Sequence, residues 1–399
     1  MTAPASGALR IFIIATEASG DRLGAALMRE LRARHGAVEF EGVGGQAMAA
    51  EGLTSPFAVE ELSIIGFAAI LRNLPQLLRR IRETAAAALA FRPDVLVLVD
   101  GPEFTHRVAR RVRRRDPAIP IVDYVSPTVW AWRPWRARAM RGYVDQVLAV
   151  LPFEPEVHRK LGGPPCLYVG HPLVEQLGVL RPDAREAERR AASPPLIVVL
   201  PGSRRGELRR LMPVFGATLQ RLAATGVAFD LVLPTLPHLA TAVTAMTAAW
   251  PVRPRIVSDE AGKLAAFRIA RAALVKSGTV TLELALAGVP MVAAYQVSRS
   301  EEWIARRLIS VSTVILANLV IGENVVPEFL QRDCVPEKLA PALAALLSEG
   351  PARRRQVEAF ARLDAIMGVA GEPPAARAAT AVAAAAHRIA HSQHVRSRL

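Results

Sequence analysis

Leu9–Ala15 (LRIFIIA) runs directly into Thr16–Asp21 (TEASGD), and behind that turn Leu23, Leu27 and Leu31 recur on one helical stripe. A short apolar run, a glycine-bearing turn and an amphipathic pattern read as strand, turn and helix. The same order recurs along the chain. Val38–Val43 reads as a second strand and 73–91 as a helix, and Val95–Val99 (VLVLV) is a strand without a polar residue. Parallel sheets buried on both faces require such strands. Ile119–Tyr124 and Val147–Leu151 repeat the theme. The alternation predicts a doubly wound α/β sheet.

The texture changes after Leu180. The segment 181–195 (RPDAREAERRAASPP) is charged and ends in a double proline, which reads as an interdomain linker. A second α/β series follows, with strands at Leu196–Leu200, Phe229–Leu233, Ala273–Lys276 and Met291–Ala294, and helices from about Glu207 and Thr279 and before Trp250. After Val335 the pattern is helical, ending in an alanine-rich stretch. The expected organisation is an N-terminal lobe over 1–180, a linker over 181–195, a second lobe over 196–345 and C-terminal helices over 346–399. Two Rossmann-like lobes facing a cleft (the GT-B type) would line up both sets of strand carboxyl ends, where ligands bind.

The chain has 399 residues, enough for two to three domains at about 150 residues each. With 51% hydrophobic residues, wholesale disorder is excluded. The balance of 50 Lys+Arg against 36 Asp+Glu gives +14, a field that favours anionic partners. The excess of arginine and alanine also fits GC-rich coding, which discounts that charge. Cys166 and Cys334 are far apart and suit neither a disulfide scaffold nor a zinc ribbon; a reducing, cytoplasmic setting is expected. No secretory signal and no apolar run long enough to cross a membrane is read, so a cytoplasmic or peripheral membrane protein is expected.

Several turns could carry chemistry. After the first strand, Glu17 places a carboxylate at the strand end, and the Ser19-Gly20 turn offers backbone N–H groups to an anion or a sugar. Ser19 as a helix cap and Asp21 as a first-turn acid is the plainer alternative. Gly42–Ala47 (GVGGQA) fits G-x-G-x-x-A, but it follows the second strand and the acids about 20 residues on, Glu60 and Glu61, read as turn residues, so Gly44 is read as part of a tight loop lining the cleft. Asp100 ends the apolar strand 95–99, an expensive place for an acid without a role, and is a candidate general base, or else a cap on the following helix. Ser126–Trp135 (SPTVWAWRPW) gathers three of five tryptophans, with Trp132 and Arg133 suited to a sugar or phosphate wall, or else to a core plug.

In the second half, Gly202, Ser203 and Arg204 follow a strand, and the arginine fork can reach a pyrophosphate. Ser277, Gly278 and Thr279 open a helix that can receive phosphate, with Glu283 one turn in, placed for ribose hydroxyls or else a first-turn acid favoured by the helix dipole. Finally, 62–74 (LSIIGFAAILRNL) concentrates apolar residues ahead of Arg79, Arg80 and Arg82. Ile65, Phe67, Ile70, Leu71, Arg72 and Leu74 would touch an anionic membrane, or else form an ordinary core helix. His171 in Gly170-His171-Pro172 reads as a turn residue, and the isolated histidines give no metal cluster.

These stretches together resemble the lipid-A-disaccharide synthase family: EASGD at 17–21, GVGG at 42–45, SPTVWAWR at 126–133, VGHPL at 169–173, LPGSR at 200–204, SGTVTLE at 277–283, and ANL to PEFLQ over 317–331. The resemblance covers about residues 10 to 345. It implies transfer of 2,3-diacylglucosamine from its UDP conjugate to the 6-hydroxyl of 2,3-diacylglucosamine 1-phosphate. The anomeric centre would invert, the product would be a β-1,6 disaccharide phosphate, and neither metal nor cofactor would be needed. It implies Asp100 as base with Glu17 assisting, Arg204 and Ser277–Thr279 on the pyrophosphate, Glu283 on the ribose and Asn318 near the donor phosphates. It also implies docking on the cytoplasmic face of the inner membrane, no nucleic-acid partner, and pairing of two copies as a homodimer. Thr16 stands where the family usually has glycine, Ala317 where it has proline, and Gly322-Glu323-Asn324 lacks the common Gly-Arg. A UDP-N-acetylglucosamine 2-epimerase of the same fold is the competing enzyme, and a basic non-enzymatic membrane- or RNA-binding protein the competing non-enzyme.

Overall fold

The computed structural model describes residues 8–62, 67–297 and 313–396, with side chains placed for all of these but 60, 67–73 and 388–396. The chain forms two units, Met1–Pro172 with Gly371–Leu399, and Leu173–Ala370.

In the first unit the strands β1 (Leu9–Ala15), β2 (Val38–Val43), β3 (Val95–Val99), β4 (Ile121–Tyr124), β5 (Gln146–Ala149) and β6 (Cys166–Tyr168) form one parallel sheet in the order β2-β1-β3-β4-β5-β6. The connections carry α1 (Ala18–His35), α2 (Gln46–Ala50), α3 (Phe67–Phe91), α4 (Pro102–Arg115), α5 (Trp135–Met140) and α6 (Glu154–Leu161). All five residues of β3 are fully buried, as an apolar strand with helices on both faces must be. Each such side chain contributes about 1.5–3 kcal/mol by leaving water. Gly42 is confined to glycine: its φ is +149°, and a Cβ there would lie 1.7 Å from Ile13 O on the neighbouring strand.

The second unit repeats the plan with β7 (Leu196–Leu200), β8 (Asp230–Pro234), β9 (Arg255–Val257), β10 (Ala272–Lys276), β11 (Met291–Tyr295) and β12 (Glu328–Leu330), ordered β12-β11-β10-β7-β8-β9 and again parallel. Its helices include α7 (Leu177–Leu180), α8 (Ala184–Ala191), α9 (Arg205–Ala223), α10 (Ala240–Met246), α11 (Glu260–Ile269), α12 (Val280–Leu286), α13 (Leu316–Ile321) and α14 (Pro336–Leu347). Phe215, Leu219, Leu231, Leu274, Leu339 and Leu343 centre the core where α9 and α14 cover the sheet.

The doubly wound class matches the sequence reading; the boundaries do not. Segment 181–195 is built into the second unit, since Asp183 and Glu186 form a capping box at the start of α8 and Arg190 binds the carbonyls of Phe267, Arg268, Ala287 and Gly288. The last helix, Pro374–Arg396, belongs to the first unit. Its buried face (Ala375, Ala378, Ala379, Val382, Ala386) packs on α1, Arg34 donates to Thr380 Oγ1 at 2.9 Å and to Glu372, and Arg377 donates to Tyr168 O at 2.6 Å.

Each sheet has one place where the strand order reverses: β1/β3 in the first unit, β7/β10 in the second. Ligands of open α/β sheets bind outside the strand carboxyl ends at such a switch point. These two places carry Glu17 and Asp100, and Gly202 and Ser277.

Candidate active site

In the first unit β1 and β3 pair with Ala15 opposite Val99, so Glu17 and Asp100 emerge at the same edge. Glu17 is the exposed N-cap position of α1, and Ser19 is exposed in its first turn rather than capping it. Asp100 is half-buried with φ +55°, and Gly101 follows with the same φ. A non-glycine residue in this region costs about 1–3 kcal/mol and persists where its surroundings over-determine it, often at functional sites. Here the Asp100 amide donates to Tyr124 O at 3.0 Å, Thr105 Oγ1 donates to Asp100 O at 3.0 Å, and Asp100 Oδ1 accepts the Gly101 amide at 2.7 Å. The other carboxylate oxygen has no hydrogen-bond partner among the described residues. Thr16 is buried against Gly101: a Cβ there would lie 1.9 Å from Thr16 Oγ1.

Beside Asp100 lies a cavity of about 180 Å³, lined by Pro102, Glu103, Pro127, Thr128, Val129, Trp132 and Arg136. Strain marks both ends of its loop, with Val125 at φ +81° and Arg133 at φ +53°. A β-branched residue at positive φ is a genuine outlier. Arg133 stacks over Trp132, 3.9 Å from the ring centroid. Glu103 is met by Arg136, by Arg133 at 3.8 Å and by Arg107 at 4.0 Å. Partial desolvation pushes its carboxyl up, but the Arg136 hydrogen bond and the three guanidinium charges prevail and hold it below the usual carboxylate range.

The loop is clamped from beneath by groups the sequence does not connect. Ser126 Oγ lies 2.8 Å from His158 Nε2. Trp130 stacks edge-on against Phe153 at 5.5 Å. Glu154 is buried, accepts the Leu151 amide at 2.9 Å, and is pushed up to about 8 by desolvation, so it is mostly protonated at pH 7. Burial lowers His158, which is neutral there. His106 joins Asp123 (3.2 Å) to the Tyr143 hydroxyl (3.1 Å), which also accepts from Arg110. Burial lowers His171 to about 4.

In the second unit a cavity of about 320 Å³ opens at the carboxyl ends of β7, β8, β9 and β10. Gly202, Ser203, Gly278, Thr279 and Glu283 line it, as the motifs suggest. Lys263, Lys276, Thr235 and Asp259 line it too and belong to no motif read from the sequence. Lys263 Nζ lies 2.9 Å from Glu283 and 2.8 Å from Glu260. Desolvation disfavours its charge, but Glu283 and Glu260 outweigh that and raise it. Glu207 accepts the Ser203 amide at 3.0 Å and the Arg204 amide at 3.3 Å, and lies 3.3 Å from Lys276. Gly202, at φ +116°, is required by that carboxylate, since a Cβ would lie 2.3 Å from Glu207 Oε2. Ser277 Oγ and Thr235 Oγ1 are buried with no hydrogen-bond partner among the described residues.

Three expected residues lie outside the two cavity linings. Asn318 is buried and holds its own loop: Nδ2 donates to Val326 O at 3.0 Å, while Oδ1 accepts the Val325 and Val326 amides. Gly44 is buried against Met48 and Leu53, and the neighbouring Gly45 and Ala47 amides donate to Asp21 at 2.8 Å, so Asp21 caps α2. The Arg204 side chain is 76% exposed, lies 3.6 Å from Glu207 and is outside the cavity lining. Ile65 lies outside the described residues. Phe67, Ile70, Leu71 and Arg72 lie on α3, and Leu74 is half-buried. Among the described residues no helix is long and apolar enough to cross a membrane, and no group of three or more His, Cys, Asp or Glu is placed to hold a metal ion.

The family model for lipid-A-disaccharide synthetase matches residues 11–370. The chain belongs to that family. It is 64% identical over 384 residues to a lipid-A-disaccharide synthase of Nitrobacter hamburgensis (96% of this chain, 97% of the relative). It is 65% identical over 376 residues to that of Bradyrhizobium diazoefficiens (94% and 96%). Membership makes the chain a glycosyltransferase of lipid A synthesis. Two solved structures share the fold. One is a UDP-GlcNAc 2-epimerase from Neisseria meningitidis bound to UDP-GlcNAc (12% identity, TM-score 0.60, 94% of this chain, 98% of that one). The other is the glycotransferase of kitacinnamycin (19%, 0.61, 95% and 99%). At those identities they establish two Rossmann-like lobes of the GT-B class and nothing about activity. The family match removes the epimerase and the non-enzymatic readings.

Proposed function

We propose that the chain moves 2,3-diacylglucosamine from its UDP conjugate onto the 6-hydroxyl of 2,3-diacylglucosamine 1-phosphate, with inversion and release of UDP. The observation that carries this reading is Asp100, held in a strained backbone at the β1/β3 switch point with one carboxylate oxygen unengaged among the described residues. That oxygen accepts the acceptor's hydroxyl proton as the alkoxide-like oxygen attacks the anomeric carbon. The bond from that carbon to the UDP oxygen breaks, and the electron pair leaves with UDP. Lys276 and Thr279, in the cavity lining, then face developing phosphate charge, with the buried Ser277 hydroxyl between them in sequence, while Glu283, oriented by Lys263, receives the ribose hydroxyls. Glu17, at the same sheet edge, orients the acceptor.

Acyl chains on both substrates give the apolar segment 62–74 a role as the contact with the cytoplasmic face of the inner membrane, beside Arg79 and Arg82. The test is purified protein in detergent with both substrates, read by mass spectrometry. A disaccharide phosphate with one UDP per product is expected. UDP binding without product would reject the transfer while leaving the second-unit cavity a nucleotide site.

A further inference from the structure

Glu103, Arg107, Arg133 and Arg136 form a group that the transfer just described does not use. Three guanidinium groups converge on one carboxylate at the mouth of the 180 Å³ cavity. One carboxylate cannot balance three cations, so the cluster carries an excess of two positive charges. Glu103 is 62% exposed, free to swing into water, whereas Arg136 is only 22% exposed. Arg133 is fixed by its stacking on Trp132 and by its left-handed backbone. Arginine forks match phosphate geometry, and a phosphomonoester carries about −1.5 to −2 charge at pH 7.

We propose that Arg136, Arg133 and Arg107 form the subsite for a phosphomonoester, the phosphate of the acceptor sugar, and that Glu103 fills it until the acceptor arrives. This rests on the transfer reading above. Placement supports it. Glu103 follows Asp100 by three residues, so their backbones lie within about 10 Å. An acceptor with its phosphate at C1 and its nucleophile at C6 presents the two groups from opposite ends of one sugar ring. Anchoring the phosphate on the arginines therefore swings the 6-hydroxyl toward Asp100. Pro127, Thr128 and Trp132 form the wall along which the ring would lie.

The test compares wild type, Arg136→Ala, Arg136→Lys and Glu103→Gln on two acceptors in mixed micelles: the 1-phosphate, and the same lipid with a free anomeric hydroxyl. UDP affinity is measured alongside as a check on folding and on the other unit. Arg136→Ala is expected to raise KM for the phosphorylated acceptor ten- to hundredfold and to abolish discrimination between the two, with UDP affinity unchanged. Arg136→Lys should recover part of the loss. Glu103→Gln, which removes the competing carboxylate, should lower that KM severalfold and tighten binding of glucosamine 1-phosphate by calorimetry. Discrimination that survives Arg136→Ala overturns the proposal. So does a loss confined to binding of anionic phospholipid vesicles, which would make the cluster a membrane contact. Failure of the transfer reading is distinct: wild type would then form no disaccharide from either acceptor.

Discussion

Replacing Glu154 by glutamine should stabilise the first unit at neutral and alkaline pH. Glutamine keeps the shape of the protonated acid and an oxygen for the Leu151 amide. In the folded chain desolvation raises this carboxyl from its ordinary 4.5 to about 8. Between those values the native state holds a proton that the unfolded chain releases, so stability falls as pH rises. At 1.36 kcal/mol per pH unit, the interval is worth about 5 kcal/mol. The contribution is fully present below pH 4.5 and is lost once the pH passes about 8. Urea unfolding of wild type and Glu154→Gln from about pH 5.5 to about pH 8 isolates it, because every other titrating group is common to both. Three tryptophans in the adjoining loop report the transition by fluorescence. The difference between the two proteins should widen by about 3 kcal/mol, or about 1 M urea at an m-value near 3 kcal/mol/M. Midpoints that run parallel across the range would show that Glu154 is ionised in the folded chain and that the reasoning is wrong.

Asp100→Asn keeps a residue tolerant of the left-handed backbone and should lower kcat by about 10² to 10⁴. A kcat within threefold of wild type with a raised KM would make Asp100 a binding group. Lys263→Met leaves Glu283 without its 2.9 Å partner and should weaken UDP binding about tenfold by calorimetry; unchanged affinity would remove Glu283 from the ribose. Chelation with EDTA should leave the rate unaltered, since Lys263 and Lys276 supply the positive charge in the cavity; a loss restored by Mg²⁺ would refute this.

The sequence made some of this legible and hid the rest for physical reasons. β3 is legible as an uninterrupted apolar run, β1 as an apolar run broken only by Arg10, and β2 by its alternation of Val38, Phe40 and Gly42 with Glu39 and Glu41. β6, β9 and β12 have only three residues each and partly exposed patterns, too short for any period to show. Segment 181–195 read as a linker because its charge hid the capping box at Asp183 and Glu186. Nothing local says that an alanine-rich helix near residue 380 covers α1. Asp100 and Gly202 follow strand ends, and Glu283 lies in the first turn of α12 behind β10, where motif and topology agree. Lys263, Glu154 and His158 stand alone in sequence, and only the fold brings each to its partner. Asn318 shows the reverse: a motif residue whose amide is engaged by its own loop.

The return of the last helix to the first unit has a consequence for synthesis. The first half of the chain leaves the ribosome early, but the helix that closes over α1 follows the whole second unit, Leu173–Ala370. At about 5–20 residues per second, that delay lasts about 10–40 s. Throughout it the α1 face beneath Ala378 and Val382 stays open, an apolar strip that a chaperone could shield and a neighbouring nascent chain could invade. The half of the enzyme that is made first is the half that is finished last.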